Sequence, residues 1–133
     1  ERLLARLQPQ TTALPDPHSP PAVPSEVQVV RAEAGQWRDG PVPGLSFKML
    51  FYDATRQYAT QLLRLAPGAY IPPHVHSDTE EIYVLEGSCS FNQQTFYVGD
   101  YIRMAAGTLH HRVVSEGGCL LLLMGSTRTV LLT

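Results

Sequence analysis

The sequence predicts an all-β sandwich or barrel, and three observations predict it. From Val27 onward the chain falls into short runs rich in Val, Leu, Tyr and Phe; turn formers separate those runs; and no long amphipathic helix pattern occurs among them. The separators are "GPVPG" at 40–44, "APG" at 66–68, "EG" at 86–87, and then "FNQQ", "VGD" and "EGG".

Taken in order, the chain opens with "ERLLARLQPQ", which puts Leu3, Leu4 and Leu7 on one helical face but is too short for a stable isolated helix. From Pro9 to Pro24 six prolines remove backbone donors and bias the chain to extended forms. Residues 1–26 therefore read as a short helix end and a proline-rich linker or arm, and residues 27–133 as one domain. Within that domain the expected strands are 27–31, 45–53, 57–66, 81–86, 94–98, 101–104, 109–114, 118–124 and 128–132. Each is a run of β-branched, aromatic and leucine residues between turn formers, and strands in that number close into a jelly roll. A domain of this size buries roughly 65% of its unfolded surface, so a metal need not be its sole source of stability.

Composition narrows the functional classes. A net charge of −2 with scattered Lys and Arg makes no basic stripe, which argues against nucleic acid or an anionic membrane as partner. The longest apolar run, Cys119 to Met124, is far too short to span a bilayer, and the N-terminus lacks the apolar core of a signal peptide. Cys89 and Cys119 match no CxxC spacing and read as reduced thiols of a cytosolic protein, although one bridge between them stays open. The chain begins at Glu1 without Met, as a piece of something longer would.

The segment "PPHVHSDTEE", residues 72–81, carries the chemistry. Side chains two apart on a strand share a face, so His74 and His76 aim at one point while Val75 points away. Pro72 and Pro73 stiffen the approach. Glu80 has matching parity, but "SDT" looks like a turn, so its convergence needs a bend. Further on, "GDYIRMAAGTLHH" offers His110 just after a turn at Gly107. Three imidazoles and one carboxylate suit a borderline divalent metal: zinc, iron, manganese, nickel or copper.

The pattern Gly68-x5-His74-x-His76-x3-Glu80-x6-Gly87, followed by Gly99-x5-Ala105-x-Gly107-x2-His110, resembles the two signature motifs of the cupin superfamily. That resemblance implies a double-stranded β-helix barrel with His74, His76, Glu80 and His110 as metal ligands. Glu80 and not Glu81 is the match, because only Glu80 leaves six residues before Gly87. The second motif departs at Ala105, where proline is usual, and at Val114, where asparagine is usual. Residues 27–125 further resemble the C-terminal cupin of ChrR-type anti-sigma factors, in which a helical zinc-binding domain precedes the cupin and holds the sigma factor. No HxxxCxxC motif for such a domain occurs in this chain.

Other residues are weighed against plainer readings. His18 in the proline arm reads as solvated. His111 has outward parity. Arg64, Glu86 and Arg112 share the ligand face only if no bulge intervenes, and otherwise are exposed charges at strand ends. Tyr70 and Tyr83 read as packing residues, and Cys119 as an inert buried thiol. The expected function is a metal-binding sensor or regulatory module, with zinc the first choice of metal and Fe, Mn or Ni as alternatives. The competing reading is a small Fe(II)-dependent dioxygenase acting on a carbonyl or enolisable compound, since four protein ligands leave a six-coordinate metal two open positions. A homodimer, a small-molecule ligand and an upstream sigma-binding domain are the expected partners.

Overall fold

The computed structural model describes residues 26–127 and the backbone of 129–131. The arm of residues 1–26 lies outside the described residues but for its last position, and so does His18. Twelve strands follow: β1 (Trp37–Asp39), β2 (Leu45–Asp53), β3 (Tyr58–Leu65), β4 (Tyr70–Ile71), β5 (His74–His76), β6 (Glu80–Phe91), β7 (Gln94–Tyr97), β8 (Tyr101–Met104), β9 (Leu109–His110), β10 (Val113–Val114), β11 (Cys119–Ser126) and β12 (Thr129–Leu131). There is no helix among the described residues.

The β2–β3 hairpin and the antiparallel pairing of β3 with the distant β11 make the broad wall of the molecule. The sheet runs β1-β2-β3-β11-β6-β10-β4, with β7 and β8 also paired to β6, while β12-β5-β9 form a second sheet. The strands are antiparallel throughout and curl into the all-β jelly roll that the sequence predicts.

Strand β6 organises this curl. Its first half lies between β8 and β11, and its second half pairs with β7 and β10. The change of partners occurs at Gly87, whose φ of 71° is a conformation that side chains resist. A Cβ there would stand 2.1 Å from the Gly118 carbonyl oxygen, so only glycine lets β11 approach this closely. The "EG" pair is thus a kink inside one twelve-residue strand and not the turn expected at 86–87. The turn comes later, at Asn92 and Gln93, whose φ values of 51° and 62° suit a two-residue hairpin loop joining β6 to β7.

Alternation supplies the core. Leu45, Leu63, Leu65, Ile82, Val84 and Leu121 point inward and are almost fully buried. Each such side chain contributes roughly 1.5–3 kcal/mol relative to exposure.

Two strand expectations need correction, and two strands, β4 and β5, are not among those expected. Residues 27–31 form no strand; Val27, Val29 and Val30 are exposed, and the carbonyls of Arg31 and Ala32 accept hydrogen bonds from buried Lys48 Nζ at 3.3 and 2.9 Å. The edge position is taken instead by β1, paired with Ser46–Lys48. The run 109–114 splits at His111–Arg112, so that β9 joins the small sheet and β10 the large one. Strands β4 and β5 are separated by Pro72 and Pro73, which cannot donate to a ladder.

Candidate metal centre

Strand β5 sits between β9 and β12, and its register sets His74 directly opposite His110. Their rings lie 4.4 Å apart, and the His74 and His76 rings 4.5 Å apart. Glu80, the first residue of β6, enters this group from the large sheet after the bend at Ser77–Asp78. One donor atom from each of His74, His76, Glu80 and His110 falls within 4.8 Å of the others. Glu80 Oε2 touches His76 Nε2 and lies 3.8 Å from His74 Nε2 and 3.5 Å from His110 Nδ1. The structure therefore brings all four sequence-predicted residues to one point.

Burial and local contacts orient them. His74 is buried and its Nδ1–H donates to the Pro72 carbonyl at 2.8 Å, which leaves Nε2 facing the cluster. The stiff Pro72–Pro73 step thus also fixes an imidazole. The Phe91 ring packs on His110 with centroids 5.0 Å apart. The Gly107 N–H donates to the His76 carbonyl at 3.0 Å, tying the loop before His110 to β5. That loop is closed by Thr108 N–H donating to the Ala105 carbonyl at 3.1 Å, so the turn forms without the usual proline.

Burial alone would raise the Glu80 carboxyl, but the imidazoles of His110, His74 and His76 gathered around it hold it well below the usual carboxylate range. Burial lowers His110 and outweighs the raising effect of Glu80. Burial also opposes protonation of His74, yet Glu80 and the Pro72 carbonyl raise it overall. Both nitrogens of fully buried His110 lack a hydrogen-bond partner. A buried polar pair left so is costly, and a cation among the donors would satisfy it. An ionised carboxylate beside a neutral imidazole is the donor state that a divalent metal requires. The residues fit the group.

Glu81 goes the other way. It lies on the outer face and accepts a hydrogen bond from Tyr101 Oη at 2.7 Å. Arg64 and Glu86 pair at 3.7 Å, half-exposed, with the Arg64 guanidinium over Trp37. Arg112 is exposed and stacks 3.7 Å over the Tyr70 ring, and His111 is exposed as its parity implies. None of these charges enters the barrel. Tyr83 is exposed on the outer face, where the sequence suggests packing.

Two contributors escape the sequence reading. Gly125 lies against Glu80, and a Cβ there would stand in ordinary contact 3.4 Å from Glu80 Cγ, so side chains larger than a methyl group would press on the carboxylate; an isolated glycine inside "LLLLMGS" is its signal in the sequence. The other is a cavity of about 110 Å³ beside His74 and Glu80, walled by Pro41, Leu45, Phe47, Leu63, Ile71 and Leu123. Only the completed barrel brings those six residues together.

A family model described as "ChrR Cupin-like domain" matches residues 25–127. The chain belongs to this family. Among solved structures, the acetylacetone dioxygenase from Acinetobacter johnsonii resembles this ChrR cupin-like domain with a TM-score of 0.73 at 13% identity, over 87% of this chain and 84% of that one. The complex of Rhodobacter sphaeroides SigE with the anti-sigma ChrR gives a TM-score of 0.61 at 24% identity, over 72% of this chain and 51% of that one. A cupin-like protein of unknown function from Ralstonia eutropha JMP134 gives 0.62 at 25% identity, over 68% and 59%. No protein with a curated description matches the chain. The first two likenesses establish the cupin fold, and the family match agrees with the ChrR-type resemblance of residues 27–125.

Proposed function

We propose that this ChrR cupin-like domain binds one divalent metal through His74, His76, Glu80 and His110 and serves as a sensor or regulatory module. The convergence of four donors within 4.8 Å, three of them buried and drawn from both sheets, carries the metal reading. Zinc is the metal we assign first, with iron, manganese and nickel as alternatives for the same donor set. The family match supports the regulatory role, in which displacement of the metal or a ligand at the site alters the hold of an attached sigma-binding domain. In that role the protein residues form a clasp: β9 and β5 present His110 and His74 face to face, and β6 brings Glu80 across from the large sheet. The metal would supply the charge that closes the clasp. We assign the module to the cytoplasm, where Cys89 and Cys119 remain thiols.

A second reading, a small Fe(II)-dependent dioxygenase, is favoured by the apolar cavity beside His74 and Glu80. Its walls carry no Arg or Lys, so they suit a small uncharged carbonyl or enolisable compound and disfavour an anionic one. Such a compound would be held by Phe47, Leu63 and Leu123 with its oxygen toward the donors.

Metal analysis of protein purified without added metal tests both readings. About one zinc per chain supports the regulatory reading; iron, with oxygen uptake on adding a small diketone, supports the enzyme. Unchanged metal content in a His74→Ala/His76→Ala/His110→Ala variant would remove the common basis of both. We further propose a homodimer, because exposed Tyr83 and Tyr101 are cross-strand neighbours and share the surface with Leu85 and Tyr97. A single monomeric species in sedimentation velocity would contradict it.

A further inference from the structure

The two cysteines are distant in sequence and adjacent in the fold. Cys119 opens β11 opposite Gly87, and Cys89 lies two residues further along the same strand, β6. Both point into the core cluster and both are free. The missing side chain at Gly87 permits this approach, since a Cβ there would stand 3.0 Å from Cys119 Cα. Residues paired across an antiparallel ladder, and those two further along, share one face, so Cys119 and Cys89 are diagonal neighbours on the inner face. Cys119, 5% exposed, borders a surface depression of about 460 Å³ together with Arg64, Pro67, Glu86, Gly87 and Gly118, whereas Cys89 does not, so of the two thiols Cys119 is the nearer to solvent.

We propose that Cys119 is a hydroperoxide-reactive thiol and Cys89 its resolving partner, so that oxidation joins β6 to β11 by a Cys89–Cys119 disulfide. The chemistry follows from the environment. Contact with Cys89 pulls the Cys119 thiol down against the opposing effect of burial, with Ser115, the Leu65 backbone and Arg64 assisting. The same contact and burial push Cys89 up, which keeps its proton in place. The Cys119 thiolate attacks one peroxide oxygen, the O–O bond breaks, and water or an alcohol departs after taking up a proton, leaving a sulfenic acid. The Cys89 sulfur then attacks the sulfenic sulfur, hydroxide leaves, and the Cys89 proton converts it to water. Two thiols and one hydroperoxide thus give one disulfide, one water, and one water or alcohol. The oxidant is hydrogen peroxide or a small organic hydroperoxide. The proposal is independent of the metal site, because neither cysteine belongs to the donor cluster.

The test treats the full chain with hydrogen peroxide and, separately, cumene hydroperoxide, and then measures thiols in denaturant and intact mass. The expected result is loss of both thiols, a mass lower by two hydrogen atoms, and a digest in which the peptides of Cys89 and Cys119 are joined within one chain. Cys119→Ala should slow oxidation of Cys89 by roughly tenfold or more, because the remaining thiol has lost its thiolate neighbour. Cys89→Ala should trap a dimedone-reactive Cys119. Circular dichroism checks that each variant keeps its strands, and Cys→Ser versions replace any that do not. Retention of both thiols in the wild-type chain, linkage between chains instead of within one, or oxidation of Cys89 at an undiminished rate in the Cys119 variant would overturn the proposal.

Discussion

Glu80 and Glu81 are the same residue type in adjacent positions, and strand alternation sends them to opposite faces. Glu80 is buried among three imidazoles, while Glu81 reaches Tyr101 in solvent. Replacing Glu80 by Gln removes an anionic donor, and metal affinity measured by calorimetry should fall by about 100-fold or more. Glu81→Gln should change it by less than about twofold, since a solvent-exposed contact is worth little. A reversed order would place the wrong carboxylate in the site. Gly125 gives a graded test of the same packing. A methyl group at 3.4 Å from Glu80 Cγ is ordinary contact, so Gly125→Ala should be tolerated. The branched side chain of Gly125→Val would displace Glu80 and should weaken metal binding about 10–100-fold, the usual effect of disturbing a ligand's supporting contacts. Equal affinity in the two variants would show that Gly125 does not shape the site.

Among the elements, β6 does most to place the site, because it carries Glu80 at one end, Cys89 and Phe91 at the other, and changes neighbours between them. That change depends on Gly87, where both the positive φ and the approach to Gly118 exclude a side chain. Gly87→Ala should destabilise the domain by about 2–3 kcal/mol, the sum expected of backbone strain and overpacking. A lowered urea midpoint would register this, and an unchanged midpoint would mean that β11 moves aside at little cost. The expected turn at 86–87 failed for a related reason. Glycine after a charged residue reads equally as a turn or as a kink within a strand, and only the partners on both sides of β6 distinguish them.

Across the whole molecule, a metal bound at this site would be thermodynamically linked to the fold. His110 lies far along the chain from the segment 74–80 that carries the other three donors, so an unfolded chain holds no preformed four-donor site, and binding free energy would add to folding free energy. Free zinc at a hundred times its dissociation constant should stabilise the domain by about 2.7 kcal/mol, and a chelator should remove that increment. Denaturation curves with and without chelator measure it directly. The same increment in the triple histidine variant would locate the binding elsewhere. Strand content should survive metal loss, because Leu63, Leu121, Ile82 and Val84 form an apolar core that does not include the donors.

Local periodicity and spacing already determined the all-β class and most strand positions, and the motif likeness singled out four residues that the fold brings together, because alternation, turn chemistry and motif spacing are properties of the chain read locally. The strand 45–53 stands as β2 and 101–104 as β8, and His74, His76, Glu80 and His110 meet as their parity and motif imply. Tertiary structure alone decided what depends on pairing between distant segments. The valines of 27–31 look like a strand yet pair with none of the described strands, and His111–Arg112 divides one apolar run between two sheets. The apolar cavity, the contact of Gly125 with Glu80, and the meeting of Cys89 with Cys119 belong to that same class. Register and curl bring these residues together, and both are set by hydrogen bonds and packing between strands that no local pattern records.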